Sequence, residues 1–461
     1  MKNLKIKDVI VFDSTSIKET MRNIDLSGTR VAYIVDKNNK LIGAVSDSEI
    51  RKSIVEGKDI KTQIRDIINP NPVILFEKDL SSSYLVRKII AKLLSRMPGS
   101  EYVLVVDKSN YPKNLVFIHE LLGKKISKKG KTLEKGKRVL VVGGAGYLGS
   151  VLVRKLLSRG FKVRVLDILM FGGDSIIELK ENSNFELIEG DMRNISTLAR
   201  AILDVNAVVS LAAIVGDPAC KNRPEAAIET NYLANKVLAD ACKYHQVNKY
   251  LYASTCSVYG AMEGIKELDE DSPLNPISLY ARSKIQSEEG ILSLEDENFS
   301  PIILRMATLY GYSPRMRFDL VVNTMTKTAI VDKKIAVHGG GLQWRPLLNV
   351  DDAAEAYVKC LESPLKKVKG EIFNVGSSKQ NYQIIEIAKI VNKYIPNSKL
   401  VIEDDVSDSR NYFVSFRRLE NKLGFRVFNN LEKSILRIKK AIEGKEIINV
   451  NDSKYYNVEF S

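Results

Sequence analysis

A glycine-rich turn between an apolar strand and an amphipathic helix constrains the fold of this chain more than any other stretch. Residues 139–157 read VLVVGGAGYLGSVLVRKLL and place Gly143, Gly146 and Gly149 in the turn. Glycines are needed because the turn is tight and the helix N-terminus must bring its free N–H groups and positive dipole end close to a phosphate. The pattern predicts a dinucleotide site, to which Tyr147 and Leu148 also contribute.

The following strands predict the rest of a dinucleotide-binding half. FKVRVLD ends at Asp167, whose carboxylate can accept both ribose hydroxyls of NAD and repel the 2′-phosphate of NADP. Ile168 and Leu169 supply no arginine for that phosphate, so NAD is the expected cofactor. Two further strand ends are expected to contact it, through Asp191, Met192, Leu211, Ala212 and Ala213. Strands that alternate with helical stretches predict an α/β fold with a Rossmann-type, doubly wound parallel sheet.

The stretch YARSK supplies a candidate base. Tyr280 and Lys284 are one helical turn apart and therefore lie on one face of a helix. A lysine ammonium beside the tyrosine hydroxyl, together with a positively charged nicotinamide, is expected to lower the pKa of Tyr280 towards neutrality. This pair occurs often by chance, and its weight here comes from its position downstream of the glycine turn and of STCSVYG, residues 254–260.

Residues 137 to about 445 resemble the extended short-chain dehydrogenases/reductases that act on nucleotide-sugars, the epimerase/dehydratase group. The matching motifs are VGGAGYLG, the strand-end Asp167, Gly190-Asp191, LAA, Asn231, Thr255 with VYG, YARSK and RPLLNVDDAAEA. The resemblance implies that Tyr280 is the base, that Lys284 holds the cofactor ribose, and that Thr255 donates a hydrogen bond to the sugar. It also implies a cofactor role for Asn231 and a small C-terminal substrate-binding subdomain.

The same resemblance implies a second anionic ligand, the pyrophosphate of a nucleotide-sugar, which calls for arginines and amides. In the family that pyrophosphate is held at positions that correspond here to Asn323, Arg345 and Arg410. The stretch SPRMRFDLVVN adds Arg315 and Arg317. We expect one of these two to face the substrate, with bracing of the loop as the alternative.

The residues after Thr255 bear on the reaction. In the 4,6-dehydratases of the family an Asp-Glu pair follows that threonine and supplies the base and the acid that remove water. Cys256 and Ser257 stand here, and a protonated thiol and a hydroxyl cannot replace two carboxylates. Oxidation at C4 followed by epimerisation is therefore the predicted reaction. Release of a 4-keto sugar, dehydration, and a non-catalytic protein that senses NAD or a nucleotide-sugar are the alternatives.

An internal repeat precedes this half of the chain. Residues 31–52 (VAYIVDKNNKLIGAVSDSEIRK) and 102–122 (YVLVVDKSNYPKNLVFIHELL) align when Asp36 is laid on Asp107. Each copy predicts strand, turn, strand and helix. The first copy resembles the cystathionine-β-synthase-type (CBS) domain, so residues 1–122 are expected to form an α+β CBS pair. Such pairs commonly dimerise, and a homodimer is expected.

CBS pairs often bind an adenine nucleotide through a hydroxyl and a carboxylate, which correspond here to Ser46 and Glu49. In the second copy Asn114 replaces the glycine of the motif and Phe117 replaces its hydroxyl residue. A phenylalanine cannot hydrogen-bond a ribose, so at most one nucleotide per chain is predicted. A purely structural or dimerising module is the alternative.

Charge marks the boundary between the two halves. GKKISKKGKTLEKGKR, residues 123–138, holds eight Lys and Arg against one Glu, so +7 of the net charge of +14 lies there. Interspersed glycines and the lack of apolar periodicity predict a flexible linker over residues 123–137, before a dehydrogenase-like part over 138–461. A tether for nucleic acid or a membrane is the less favoured interpretation.

Cysteine spacing and hydropathy bound the remaining possibilities. The four cysteines show no paired spacing that would indicate a disulfide framework or a metal site: Cys220, Cys242, Cys256 and Cys360. No apolar run approaches the length of a membrane span, and the start of the chain does not resemble a signal peptide. A cytoplasmic protein with no metal, membrane or nucleic-acid partner is expected.

Overall fold

The computed structural model describes residues 5–81, 83–96, 102–118, 121, 133–261, 267–403 and 411–457. Contacts divide the chain into two units, Met1–Ser127 and Lys128–Ser461. The division lies within the predicted linker, of which residues 123–132 lie outside the described part. Residues 133–137 belong to the second unit, because Leu133 packs on its core and the backbone N of Gly136 donates to the carbonyl of Gly160 at 2.8 Å. The second unit thus begins before position 138.

Two three-stranded sheets form the first unit, together with the helices α1 (Ile17–Ser27), α2 (Asp47–Val55) and α3 (Ser83–Arg96). The first sheet consists, in spatial order, of β1 (Ile10–Phe12), β2 (Val31–Val35) and β3 (Leu41–Ser46). The second consists of β4 (Leu75–Phe76), β5 (Tyr102–Val106) and β6 (Pro112–Phe117). In each sheet the middle strand is parallel to the first and antiparallel to the third.

The turns after β2 and β5 have the same hydrogen bonds. Oδ1 of Asp36 accepts two backbone N–H groups at 2.9 Å, and Oδ1 of Asp107 accepts two at 2.8 and 3.0 Å. Asn39 and Asn110 adopt left-handed backbone conformations in these turns, with φ of 61° and 66°. Asp and Asn suit such turns because their side chains bond nearby amides and tolerate positive φ. The structure therefore contains the repeat that the sequence predicts.

A seven-stranded parallel sheet forms the centre of the second unit. Its strands are β7 (Arg138–Val142), β8 (Lys162–Asp167), β9 (Phe185–Glu189), β10 (Ala207–Ser210), β11 (Lys249–Thr255), β13 (Ser300–Met306) and β17 (Ile372–Val375). Their spatial order is β17, β13, β11, β10, β7, β8, β9, and every neighbouring pair is parallel. The order reverses between β7 and β10, where doubly wound sheets bind ligands. The Rossmann-type sheet predicted from the sequence is confirmed.

Helices cover both faces of this sheet. They are α4 (Tyr147–Ser158), α5 (Ile195–Ala201), α6 (Asp217–Asn222), α7 (Pro224–Ile228), α8 (Ala234–Tyr244), α9 (Leu279–Leu292), α11 (Val350–Glu362) and α12 (Leu365–Val368). Along β7, Val139 and Val141 join the apolar core beneath α4 and α11, whereas Leu140 and Val142 join the core beneath α8. Both faces of a parallel strand are buried, which explains its unbroken run of apolar residues.

Smaller elements make up the rest of the second unit, and some of them build a separate apolar core. The helices are α10 (Val321–Val331), α13 (Ile384–Tyr394), α14 (Arg417–Leu423) and α15 (Leu431–Glu443). The strands are β12 (Glu267–Leu268), β14 (Thr308–Tyr310), β15 (Lys334–His338), β16 (Trp344–Asn349), β18 (Asn381–Gln383), β19 (Lys399–Glu403) and β20 (Phe413–Val414). Residues of α10, α13 and α15 share one cluster of buried side chains. This cluster occupies the place of the predicted substrate-binding subdomain.

The C-terminal segment, residues 449–457, contacts the loop before α10 and the segment that follows β8. The backbone N of Phe318 donates to the carbonyl of Tyr455 at 2.9 Å, and Nζ of Lys454 lies 3.3 Å from Oδ2 of Asp174. Nη2 of Arg315 donates to Oδ1 of Asn457 at 2.7 Å. None of the helices in the described ranges has the length and apolar character that a bilayer crossing requires.

Candidate active site

The glycine turn between β7 and α4 has the close approaches that its sequence predicts. Gly143 adopts φ of +85°, and a Cβ there would lie 2.7 Å from the backbone N of Ala212. A Cβ on Gly149 would lie 2.1 Å from the carbonyl O of Gly143, a contact that no side chain tolerates. The turn therefore presents bare backbone at the N-terminus of α4, where free N–H groups and the helix dipole favour a phosphate.

Asp167 ends β8 beside this turn and helps to shape it. Its carboxylate accepts the backbone N–H of Ala145 at 2.8 Å and that of Leu169 at 2.9 Å. Burial raises the pKa of Asp167, and the two hydrogen bonds oppose that rise. A carboxylate can accept more than two hydrogen bonds, so Asp167 retains the capacity to accept ribose hydroxyls, which is its predicted role.

A cavity of about 830 Å³ runs along the carboxyl ends of β7, β8, β11 and β13. The predicted cofactor residues in its wall are Gly143, Gly146, Tyr147, Leu148, Gly149, Asp167, Asp191, Met192, Leu211, Ala212 and Ala213. The bare turn, the strand-end carboxylate and the volume fit a dinucleotide. NAD bound there supplies an acceptor for hydride.

Asn231 does not line the cavity, although it is predicted as a cofactor residue. Its side chain is fully buried. Oδ1 accepts the backbone N–H of Ile214 at 2.8 Å, and Nδ2 donates to the carbonyl of Ile214 at 3.0 Å and to Oγ of Ser283 at 3.4 Å. Asn231 thus ties the segment after β10 to α9, and it shapes the cavity wall from behind.

Thr255, Tyr280 and Lys284 meet at the cavity wall, as predicted. Thr255 is the last residue of β11, and Tyr280 follows the first residue of α9, whose N-terminus Ser278 caps. Thr255 lies near enough to Tyr280 to favour the ionised form of its phenol. Nζ of Lys284 donates to the carbonyl of Ala253 at 2.8 Å and lies 5.8 Å from the centre of the Tyr280 ring.

The protein groups alone do not lower the pKa of Tyr280, whereas the prediction also relies on the positive charge of the nicotinamide. Burial raises the pKa of Tyr280 and lowers that of Lys284 to about 8. Lys284 is bonded to a carbonyl and not to the phenol, so its charge does not offset the desolvation of Tyr280. Arg317 and the Thr255 hydroxyl do favour the phenolate. A lowered pKa would need a further positive charge, such as that of the nicotinamide ring.

The two residues after Thr255 have different surroundings. Cys256 is 1% exposed, its thiol donates to the carbonyl of Arg305 at 3.3 Å, and burial raises its pKa. It is therefore an unreactive thiol behind the cavity wall. Ser257 lines the cavity, and its Oγ lies 3.1 Å from Oγ1 of Thr255 and 3.4 Å from the hydroxyl of Tyr412.

Arg345 and Arg317, two of the predicted substrate residues, line the same cavity. The guanidinium of Arg345 lies 5.4 Å from the centre of the Tyr412 ring. Arg317 binds both carboxylate oxygens of Asp319, at 3.0 and 2.6 Å. Arg317 also influences the pKa of Tyr280, so it lies on the catalytic side of the cavity.

Asn323, another predicted substrate residue, is not brought to the cavity wall. Asn323 is fully buried and does not line the cavity, because its amide braces the loop before α10. Its Oδ1 accepts the backbone N–H of Gly311 at 2.9 Å, and its Nδ2 donates to the Tyr147 hydroxyl at 3.1 Å and to the carbonyl of Arg317 at 2.9 Å. Arg410 lies outside the described residues.

Arg315 lies on the dinucleotide side of the cavity. The negative charge of Asp167 acts to raise the pKa of Arg315. The Arg315 guanidinium lies 3.7 Å from the centre of the Phe171 ring. Phe171, Tyr412 and Asn457 also line the cavity, and sequence reasoning did not single them out. They come from loops and from the C-terminal segment, where no periodicity or motif marks them.

In the first unit, Ser46 and Glu49 form the capping box of α2. Oγ of Ser46 accepts the backbone N–H of Glu49 at 3.2 Å, and Oε2 of Glu49 accepts the Ser46 backbone N–H and its hydroxyl, each at 2.7 Å. This is a regular helix-starting arrangement. The structure thus brings the two predicted nucleotide residues together and gives them a structural role.

Nucleotide-sugar dehydratases and epimerases are among the proteins to which this chain is similar. dTDP-D-glucose 4,6-dehydratase of Homo sapiens is 29% identical over 261 residues, which is 55% of this chain and 72% of that protein. An uncharacterized UDP-glucose epimerase of Bacillus subtilis (strain 168), YtcB, is 30% identical over 265 residues, 55% of this chain and 81% of that protein. The crystal structure of UDP-glucuronic acid 4-epimerase from Bacillus cereus with UDP-glucuronic acid and NAD has a TM-score of 0.59 at 26% identity, covering 66% of this chain and 99% of that one.

The sheet order, the glycine turn and the Thr255, Tyr280 and Lys284 cluster on one cavity define a dinucleotide-dependent α/β enzyme of the short-chain dehydrogenase type. The sequence model of the NAD dependent epimerase/dehydratase family matches residues 139–376, all within the second unit. The chain belongs to that family, and the prediction of NAD as cofactor is confirmed. Both epimerases and dehydratases occur among the relatives, so similarity alone does not choose the reaction.

Proposed function

We propose that the protein is a nucleotide-sugar 4-epimerase that uses NAD. The observation that carries the proposal is the chemistry next to Thr255. A dehydratase needs an acid and a base there, whereas this chain has a buried thiol at Cys256 and a hydroxyl at Ser257. Neither group is ionised near neutral pH, so neither supports removal of water across C5 and C6.

Each catalytic side chain has one role in the proposed reaction. Tyr280 accepts the proton of the C4 hydroxyl while hydride leaves C4 for the cofactor, and Thr255 donates a hydrogen bond to the sugar oxygen. The 4-keto sugar then turns within the cavity and accepts hydride on its other face, while Tyr280 returns the proton. Lys284 positions the cofactor ribose. The small side chain of Ser257 on the cavity wall leaves room for that turn.

Mass spectrometry of the product in deuterated water tests the proposal. Candidate nucleotide-sugars are incubated with the protein and NAD, and Tyr280→Phe is the matched control without a proton acceptor. We expect a product of unchanged mass with inverted C4 and no deuterium at C5. Loss of one water with deuterium at C5 would mean dehydration, and loss of two hydrogens would mean release of a 4-keto sugar. Binding of sugars without any product would favour a sensor.

We also propose that the first unit is a CBS pair that binds at most one adenine nucleotide per chain, next to Ser46 and Glu49. The support is the repeated strand and turn geometry around Asp36 and Asp107. With NAD at saturation, AMP titrated into the full-length protein should bind with a stoichiometry no greater than one. Two equivalents per chain would contradict the exclusion based on Phe117.

A further inference from the structure

Arg315 is a buried cation that has no hydrogen-bonded counter-charge among the described residues. Its side chain is 5% exposed, and its Nε has no hydrogen-bond partner. Within the described part of the chain its one hydrogen bond goes to a neutral group, Oδ1 of Asn457, at 2.7 Å. Burial of a charge without an ionic partner is costly, so the position calls for an explanation.

The two described carboxylates that act on the charge of Arg315 are bonded to other groups. Asp319 gives both of its oxygens to Arg317, and Asp167 accepts two backbone N–H groups of the glycine turn and its neighbour. Burial and the like charge of Arg317 lower the pKa of Arg315 to about 9, although Asp319 and Asp167 attract it from a distance. No described carboxylate forms an ion pair with Arg315, so its positive charge remains available for a ligand.

The guanidinium is nevertheless held in one orientation. The Phe171 ring packs on its face with the centre 3.7 Å away, and Asn457 fixes one of its nitrogens. A stacked and braced guanidinium has lost its rotational freedom before any ligand arrives. Such a group is prepared to bind a planar or tetrahedral oxyanion through its remaining N–H groups.

The neighbours of Arg315 indicate which anion binds. Asp167 ends the strand at the expected cofactor ribose, and Tyr147 is the first residue of α4, whose N-terminus faces the expected pyrophosphate. Both residues interact electrostatically with Arg315, and all three line the cavity. Arg345 and Tyr412 line a separate stretch of the wall, beside Ser257.

We propose that Arg315 is a ligand of the dinucleotide and not of the sugar substrate: it binds a phosphate group of the cofactor together with the N-terminus of α4. This resolves the alternatives that SPRMRFDLVVN leaves open, with Arg317 on the catalytic side and Arg315 on the cofactor side. The proposal goes beyond the epimerase assignment. Its test uses no sugar, so failure of one does not imply failure of the other.

The test compares Arg315→Met with the unsubstituted protein in titrations of ADP-ribose, NAD and NADP by calorimetry, and of adenosine by ligand-observed NMR. Loss of charged hydrogen bonds to a phosphate should lower the affinity for ADP-ribose and for NAD by about 10- to 100-fold. Adenosine, which has no phosphate, should bind unchanged. An equal loss of affinity for NAD and for NADP would support a contact with the pyrophosphate, whereas a loss of NADP affinity alone would contradict the proposal. Arg159→Met, at the far end of α4 and outside the cavity wall, should leave all four ligands unaffected.

Thermal unfolding of the ligand-free protein separates this role from a structural one. Removal of an uncompensated buried charge should leave the melting temperature unchanged or raise it, while the shift produced by NAD becomes smaller. A lower melting temperature without ligand, together with weaker adenosine binding, would make Arg315 a brace and overturn the proposal. Unchanged affinity for ADP-ribose and NAD in a folded variant would overturn it as well.

Discussion

Glu288 and Arg305 form a buried ion pair behind the catalytic helix, and its removal gives a sharp test of the packing. Both side chains are 3% exposed, and Nη2 of Arg305 lies 2.7 Å from Oε2 of Glu288. Glu288 lies one helical turn after Lys284 on α9, and Arg305 pairs in register with Ser254 on β11. The pair therefore fastens α9, which carries Tyr280, to the central sheet.

The expected magnitude follows from the partners that each change leaves behind. Glu288→Leu leaves the Arg305 guanidinium buried and unpaired, which should cost about 3–5 kcal/mol of unfolding free energy. Combining it with Arg305→Met removes both charges and loses chiefly two hydrogen bonds, from Ser254 to Glu288 and from Arg305 to Tyr259. At about 1 kcal/mol each, the double variant should lose roughly 2 kcal/mol. It should be more stable than Glu288→Leu alone.

The assay is urea unfolding followed by tryptophan fluorescence. Trp344 on β16 is the single tryptophan of the chain, so the signal reports on the second unit. Glu289→Leu is the matched control, because Glu289 is the next residue on the same helix and is exposed, and its change should stay within about 0.5 kcal/mol. If Glu288→Leu costs no more than Glu289→Leu, or if the double variant is as unstable as the two single changes added, the reasoning fails.

Three further results are expected. Tyr280→Phe should lower kcat by about 10²- to 10⁴-fold with an unchanged NAD dissociation constant by calorimetry, and loss of NAD binding would contradict its assignment as the base. Asp167→Ala should weaken NAD binding by about 1.5–3 kcal/mol and reduce the ratio of NAD affinity to NADP affinity. An unchanged ratio would count against a contact between Asp167 and the ribose. Burial lowers the pKa of Lys249 to about 8, below its unfolded value, so the unfolded state binds more protons between about pH 8 and 10. Between about pH 8 and 10 the unfolding free energy of the unsubstituted protein, measured with urea, should therefore rise by about 1.4 kcal/mol per pH unit relative to that of Lys249→Met. Parallel pH profiles of the two proteins would refute the lowered pKa of Lys249.

Local chemistry accounts for what the sequence predicts correctly. The glycine turn, the carboxylate that ends β8 and the small residues after β10 lie at strand ends, and the strands themselves are unbroken apolar runs. Parallel packing brings those ends to one edge, so predicting the strands is enough to gather Gly143, Asp167 and Ala212 around one cavity.

Contacts between distant segments account for what the sequence does not predict. Asn323 is an amide of the expected type at the expected position, yet its partners Gly311 and Tyr147 turn it into a brace. The pKa of Tyr280 is set by burial, which depends on every neighbouring element and not on the spacing of Tyr280 and Lys284. The spacing of three residues between Ser46 and Glu49 suits a capping box as well as a ligand site, so the sequence alone does not choose between the two.

The C-terminal segment has a practical consequence for work with this protein. Lys454, Tyr455 and Asn457 reach Asp174, Phe318 and Arg315, so the last described residues are fastened beside the coenzyme pocket. An affinity tag fused after Ser461 would disturb these contacts, whereas a tag before Met1 would be attached to the first unit. Preparations that differ only in the end that carries the tag should therefore differ in how much coenzyme they retain through purification.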